Sequence, residues 1–173
     1  MALSLYDASI PVYARGLRNL AAVLDKAETW AKTEGKDLQS LFDARLAPDM
    51  HPLAGQIRLA SDAAKGGAAR LAGATAPSMP DTEETYAQLK ERVAKTIAYV
   101  ETLQRADVEG GEGRTIELPL PGGALTFTAP NFLFQFSLPN FFFHVTTAYD
   151  VLRSQGAPLG KMDFLAGGQL ATT

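Results

Sequence analysis

The sequence predicts an all-α fold, a four-helix bundle that carries a small β-hairpin in the long connection between helices three and four. Three observations predict it. Four long stretches repeat apolar residues with the helical period of about 3.6 residues, one shorter stretch alternates as strands do, and no internal repeat is present. Hydrophobic residues make up 46% of the chain, enough for one core. We therefore expect a single domain over residues 1–173.

The first helix is predicted over residues 10–33. Pro11 suits its first turn, and Gly35 follows its end as a stop signal. One apolar stripe runs along the helix and marks its buried face. The stripe consists of Tyr13, Leu17, Leu20, Leu24, Ala27 and Ala31.

The second long helix is predicted over residues 51–72, after a short helical turn at 37–45. Its inner face carries small residues, which allow a neighbouring helix to approach closely. Gly66 and Gly67 each weaken a helix by roughly 1 kcal/mol relative to alanine. This pair therefore indicates a packing reason or a local kink. The inner face is formed by Leu53, Ile57, Ala60, Ala64, Gly67, Ala68 and Leu71.

The third long helix is predicted over residues 82–105, with Asp81 as N-cap and Glu84 completing a capping box. Beyond it the helical period stops. Residues 115–118 and 124–128 alternate as strands do, so they predict a two-stranded hairpin that must pack on the helices to be stable.

The fourth long helix is predicted over residues 130–155, with a break expected at Pro139 and a stop at Gly156. The segment 158–165 is too apolar for a free terminus, so we expect it to dock on the bundle with Phe164 buried. The residues 167–173 are expected to be disordered.

Composition excludes several classes of protein. The chain has no cysteine, which rules out disulfides, thiolate nucleophiles and cysteine zinc sites, and which fits a cytoplasmic protein. The net charge is −3 and no basic stripe is present, so we expect no nucleic-acid partner. No signal peptide and no membrane-spanning apolar stretch is predicted.

His144 is the strongest candidate for a functional residue. It is one of two histidines and lies in the aromatic run 138–149. Helical spacing places Asn140, His144 and Thr147 in one row at the edge of the inward face of the fourth helix. This row forms either the wall of a polar pocket, with His144 as a base or ligand, or a set of core polar groups that satisfy one another.

Four other residues are weaker candidates. His51 and Asp49 lie at the start of the second helix, where two histidines and a carboxylate would suffice in number for a divalent metal. His51 as a solvated residue and Asp49 as a helix cap are the alternatives. Gln56 lies on the flank of the inner face and could hydrogen-bond across the bundle. Lys161 is either a surface charge or a cationic lid over the pocket.

Eight segments resemble a bacterial and fungal family of unknown function, and the match covers nearly the whole chain. The run around His144 and the final segment are its most specific parts. The family is similar in fold to the DinB/YfiT-like superfamily of metalloenzymes and thiol transferases. The segments are Ala8–Val12, Leu24–Glu28, Ala44–Met50, Gln56 with Ala60–Lys65, Ala69–Gly73, Asp81–Thr85, Leu138–Tyr149 and Pro158–Leu165.

The resemblance implies a metal site built from one histidine of the second helix and an H-x-x-x-H pair of the fourth. Here that spacing reads Asn140-x-x-x-His144, and His51 stands where the family more often has an aromatic residue. The ligand set is therefore incomplete. Two functions remain: a metal-dependent transferase or hydrolase that acts on a small molecule, or a non-catalytic ligand-binding or structural module with a degenerate metal site. In either case we expect a homodimer, and no cofactor is identified.

Overall fold

The computed structural model describes residues 4–167 and is mostly helical, with one two-stranded antiparallel hairpin. A π-helical turn, Phe132–Ser137, joins the short helix Ala129–Asn131 to the long helix Leu138–Ser154. The prediction of disorder for residues 167–173 falls, except for Gly167, on residues that the structure does not describe. The elements are α1 Ile10–Thr33, α2 Leu38–Asp43, α3 Leu53–Ala72, α4 Tyr86–Thr102, α5 Arg105–Val108, β1 Thr115–Leu120, β2 Gly123–Thr128, α6 Ala129–Asn131, α7 Leu138–Ser154 and α8 Lys161–Ala166.

The four longest helices surround one hydrophobic core. Helix α3 packs against α7 and α4, and α1 packs against α4 and α7, so the contacts close a ring. The predicted stripes of the first two long helices face this core, and so do the apolar stripes of α4 and α7, with Ile97 of α4 only half-buried at the edge. The fully or almost fully buried stripe residues include Leu20, Leu24, Ile57, Ala64, Leu89, Val93, Val145 and Leu152.

Helix α4 begins later than the sequence predicts. Its N-cap is Thr85, whose hydroxyl accepts from the backbone N–H of Gln88 in a capping box, so the predicted cap at Asp81 was wrong. The physical reason is an alternative partner for the acidic residues. Asp81 and Glu83 form ion pairs with Arg92, which hold this segment outside the helix.

The predicted break at Pro139 does not occur. Pro139 lies in the first turn of α7, where its missing N–H is tolerated, and the preceding residues form the wider π-helical turn. Within that turn, Ser137 accepts a hydrogen bond from the Tyr13 hydroxyl at 2.7 Å. A side chain at position 67 of α3 would clash with both hydroxyl oxygens, which explains why Gly67 stands there.

The hairpin and the docked tail lie at the periphery. Strands β1 and β2 pair from Thr115↔Thr128 to Leu120↔Gly123, two residues further than predicted for β1. Phe164 of α8 contacts Tyr149 edge-on at 6.0 Å but is half-buried, so the expectation of a buried Phe164 was too strong. In the described part of the chain, no helix is sufficiently long and apolar to span a bilayer.

Candidate functional site

His144 lies on α7 at its contact with α3. Its apolar neighbours Phe141 and Val145 bury the adjacent part of α7 in the core, which carries the ring of His144 inward. The residue retains 9% of its surface. The exposed ring of Phe143 meets it edge-on, with centroids 5.2 Å apart. His144 is therefore a buried titratable group at the edge of the core, as the row predicted.

Gln56 of α3 is the hydrogen-bond partner of His144. Its Oε1 lies 2.8 Å from Nδ1 of His144, and its Nε2 donates to the backbone carbonyl of His51 at 3.2 Å. An amide oxygen only accepts, so Nδ1 carries the proton in the neutral ring. Within residues 4–167, no hydrogen bond reaches Nε2 of His144. That nitrogen retains its lone pair for an external donor.

The surroundings keep the imidazole of His144 neutral. Burial disfavours the charged ring and lowers the pKa of His144 below its ordinary value of 6.5, and the nearby charge of His51 lowers it further. Asp49 is not among the causes of this shift. A neutral ring with one tied nitrogen can accept a proton or bind a ligand through the other.

The rest of the predicted row does not bond to His144. Thr147 is buried, but its hydroxyl donates to the carbonyl of Phe143 one turn earlier, at 2.7 Å. Asn140 is half-buried, and its amide makes no hydrogen bond with any residue that the structure describes. Its donor and its acceptor therefore remain available beside the ring.

Unlike Gln56, the other three weaker candidates form no hydrogen bond with His144 within residues 4–167. His51 and Asp49 are exposed in the connection before α3. Lys161 is exposed beside Tyr149 and Asp150, which lie on the side of α7 away from the His144 row. Of the two alternatives for Lys161, this position favours the surface charge over the lid, because the chain after α7 turns toward α1, where Lys26 binds Asp163 at 2.8 Å.

The profile of a family described as "Domain of unknown function (DUF1993)" matches residues 5–165. The chain belongs to the DUF1993 family. It is similar to a solved structure, the crystal structure of a DinB family member protein from Shewanella denitrificans, with 38% sequence identity and a TM-score of 0.87. The match covers 98% of this chain and 94% of that chain. No curated protein matches the sequence.

These comparisons confirm the predicted family and a DinB-like fold for this DUF1993 protein. The DinB-like fold implies a metal ion. Whether this chain could hold one depends on the donor side chains that it brings together. His144 offers Nε2, with Nδ1 bound to a carbonyl oxygen as in many metal-binding histidines. However, no group of three His, Asp or Glu side chains within residues 4–167 can hold a metal. The described residues therefore do not complete a three-ligand centre of the catalytic type.

A second polar cluster of this DUF1993 protein, which was not predicted from the sequence, is built around Arg92 of α4. Arg92 is 2% exposed and borders an open cavity of about 280 Å³. The signal was its position, three residues after Leu89 and one before Val93 on the inner face of the helix. The members of this Arg92 network are Arg58, Asp62, Lys65, Asp81, Glu83 and Arg92.

Proposed function

We propose that the chain acts on a small molecule as a transferase or hydrolase, with Nε2 of His144 as the proton acceptor. One observation carries the proposal: a buried, neutral imidazole has Nδ1 hydrogen-bonded and Nε2 unbound within the described residues. A positioned histidine of this kind accelerates proton transfer by roughly 10²–10⁴-fold.

The chemistry that such a base supports is attack on an electrophilic carbon. Nε2 of His144 takes the proton from water, an amine or a thiol as the nucleophilic atom forms its bond to the carbon. The bond to the leaving group then breaks, and the imidazolium returns its proton to that group or to solvent. The exposed Phe143 and the amide of Asn140 supply an apolar surface and hydrogen-bonding groups beside the reacting atoms.

A divalent metal is not required for this step. His144 and His51 are the residues that would bind one, and a third protein ligand of the His, Asp or Glu type is missing from the described chain. We therefore assign no step to a metal. Titration of untagged protein with Zn²⁺ tests this part, and stoichiometric tight binding that His144→Gln abolishes would contradict it.

The test of the proposal is hydrolysis of p-nitrophenyl acetate, a general ester probe. We expect His144→Gln to lower the rate by about 10²-fold or more, while helix content is retained. Thr146→Val is the matched control, because Thr146 is exposed on the other side of α7. Equal rates for wild type and His144→Gln would refute the proposal.

A non-catalytic ligand-binding or structural module with a degenerate metal site is the second candidate. Asn140 favours it, because a neutral amide stands four residues before His144, where the resemblance implies a histidine. In that case, Nε2 of His144 still reacts with diethyl pyrocarbonate, but no turnover of the ester depends on His144. The ester assay therefore separates the candidates, and reaction with diethyl pyrocarbonate shows that Nε2 is accessible in either case.

We also propose that α1, α3, α4 and α7 form an antiparallel four-helix bundle in one domain of a cytoplasmic homodimer. The closed ring of helix contacts supports the bundle. The exposed ring of Phe134, at 55%, supports a partner surface. Sedimentation velocity tests the dimer: Phe134→Ser should shift the protein toward the monomer, and a monomeric wild type would contradict it.

A further inference from the structure

We propose that Gln56 is a positioning residue that fixes the tautomer of His144 and so presents the unprotonated Nε2 to the site. This inference rests on the proposed function of His144, and it assigns to α3 the role of orienting a base carried by α7.

The amide of Gln56 cannot be reversed. Gln56 is 2% exposed, and its two ends face different partners. One end lies 3.2 Å from the backbone carbonyl of His51, which can only accept a hydrogen bond. The NH₂ group must therefore face that carbonyl, and the oxygen must face the ring of His144.

The backbone carbonyl of His51, which accepts from Gln56, has a fixed position. His51 precedes Pro52, which is the N-cap of α3. The next residue, Leu53, donates its N–H to the carbonyl of Ala44 at 2.8 Å. This bond ties the start of α3 to the end of the α2 segment. The acceptor that orients Gln56 is thus part of the helix start and does not depend on the exposed ring of His51.

The contact with Gln56 favours one tautomer of the neutral His144 ring. With Nδ1 protonated, the ring donates to Oε1 of Gln56 at 2.8 Å. With Nε2 protonated, two lone pairs face each other at that distance, inside a site from which water is largely excluded. The first tautomer is therefore favoured, and it alone leaves Nε2 able to accept a proton from a substrate.

The experiment reads the tautomer directly by long-range ¹H–¹⁵N NMR of protein labelled in its histidine rings. We expect wild-type His144 to show a protonated Nδ1 and an unprotonated Nε2. Gln56→Glu retains an oxygen acceptor, so the same tautomer should persist and the pKa of His144 should rise. Gln56→Met removes the acceptor, so the ring should shift toward the Nε2-protonated form.

Thr147→Val is the matched control, because Thr147 is a buried neighbour whose hydroxyl bonds the Phe143 carbonyl and not the ring. We expect it to leave the tautomer unchanged. The positioning role would be overturned by a wild-type ring protonated at Nε2, or by a Gln56→Met ring that retains its proton on Nδ1.

This readout needs no substrate, so it can fail independently of the proposed function. Ester hydrolysis that depends on His144 but is unchanged in Gln56→Met would overturn the positioning role and leave the base in place. A tautomer that follows Gln56, with hydrolysis reduced in Gln56→Met and restored in Gln56→Glu, would support it. If Gln56→Met does not fold, the tautomer in wild type and the pKa change in Gln56→Glu still decide the question.

Discussion

Helix α3 contributes to two polar clusters of opposite character. At its start, Gln56 and His144 form a neutral pair with one ring nitrogen left over. Further along, Asp62 belongs to the Arg92 network, whose three cations and three anions bind one another. The difference indicates their roles. A balanced set of ion pairs stabilises a chain segment, whereas a pair that leaves an acceptor available can act on a ligand.

Two of the three guanidinium nitrogens of Arg92 are paired within the Arg92 network. Its two terminal nitrogens bind Glu83, Asp62, Asp81 and the carbonyl of Pro80. Its Nε is buried without a partner within residues 4–167. The network therefore ties the segment before α4 to both α3 and α4.

The largest effect is expected from Arg92→Met. This substitution removes the buried cation that joins Glu83, Asp62 and Asp81 and leaves only Arg58 on Glu83 and Lys65 on Asp62. The free energy of unfolding should therefore fall by roughly 1–3 kcal/mol. Urea denaturation measures it. Lys95→Met is the control, because Lys95 is 71% exposed on the same helix and should change stability by only about 0.5 kcal/mol or less. Equal losses for the two variants would show that the network does not stabilise the fold.

The next effect is a dependence of stability on acid pH that originates at Glu83. Burial alone would raise the pKa of Glu83, but hydrogen bonds from Arg92 and Arg58 outweigh it and lower the pKa below the ordinary value. The stabilisation is therefore present above the unfolded-state pKa of about 4.3 and is lost as pH falls through the folded pKa.

Glu83→Gln should remove this component, so its stability should fall less than that of wild type as pH drops below about 4. Glu91→Gln is the control, because Glu91 is exposed and borders the same open cavity as Arg92. Parallel pH profiles for wild type and Glu83→Gln would contradict the role assigned to Glu83.

The sequence predicts the helical regions well where local signals mark their ends. Residues 10–33 agree with α1 because Pro11 and Gly35 delimit that helix. The start of α4 is mispredicted because its acidic residues have a distant partner, Arg92, which a local capping rule does not consider. The π-helical turn is missed as well, because an apolar stretch with Pro139 reads as an ordinary helix with a break.

The candidate site is predicted only in part, because local patterns identify its residues but not the contact between them. The row on α7 identifies His144, and the flank of α3 identifies Gln56, from the helical period alone. Their contact joins residues 88 positions apart, and it depends on the relative register of two helices that no local pattern encodes. The position of Lys161 depends on the direction that the chain takes after Gly156, and this was not predictable either.

A smaller effect is expected from the titration of His144. Its pKa is lowered by burial and by His51, so the unfolded chain takes up the proton first as pH falls. Stability should therefore decrease as pH falls below about 6.5, down through the folded-state pKa. Urea midpoints between about pH 7 and pH 5 should show this slope in wild type and a shallower one in His144→Gln. Identical slopes for wild type and His144→Gln would contradict the lowered pKa of His144.

The smallest effect is expected from Lys161→Met, which should leave the pKa of His144 unchanged. Lys161 is exposed and lies with Tyr149 and Asp150 on the side of α7 away from the ring, so its charge is separated from His144 by the helix and screened by solvent. NMR titration of the ring measures the pKa, and His51→Gln provides the positive control. Removing the charge of His51 should raise the pKa of His144, because that charge lowers it in the wild type. A comparable rise of the His144 pKa in Lys161→Met would contradict this placement, because it would mean that the charge of Lys161 reaches the Gln56–His144 pair.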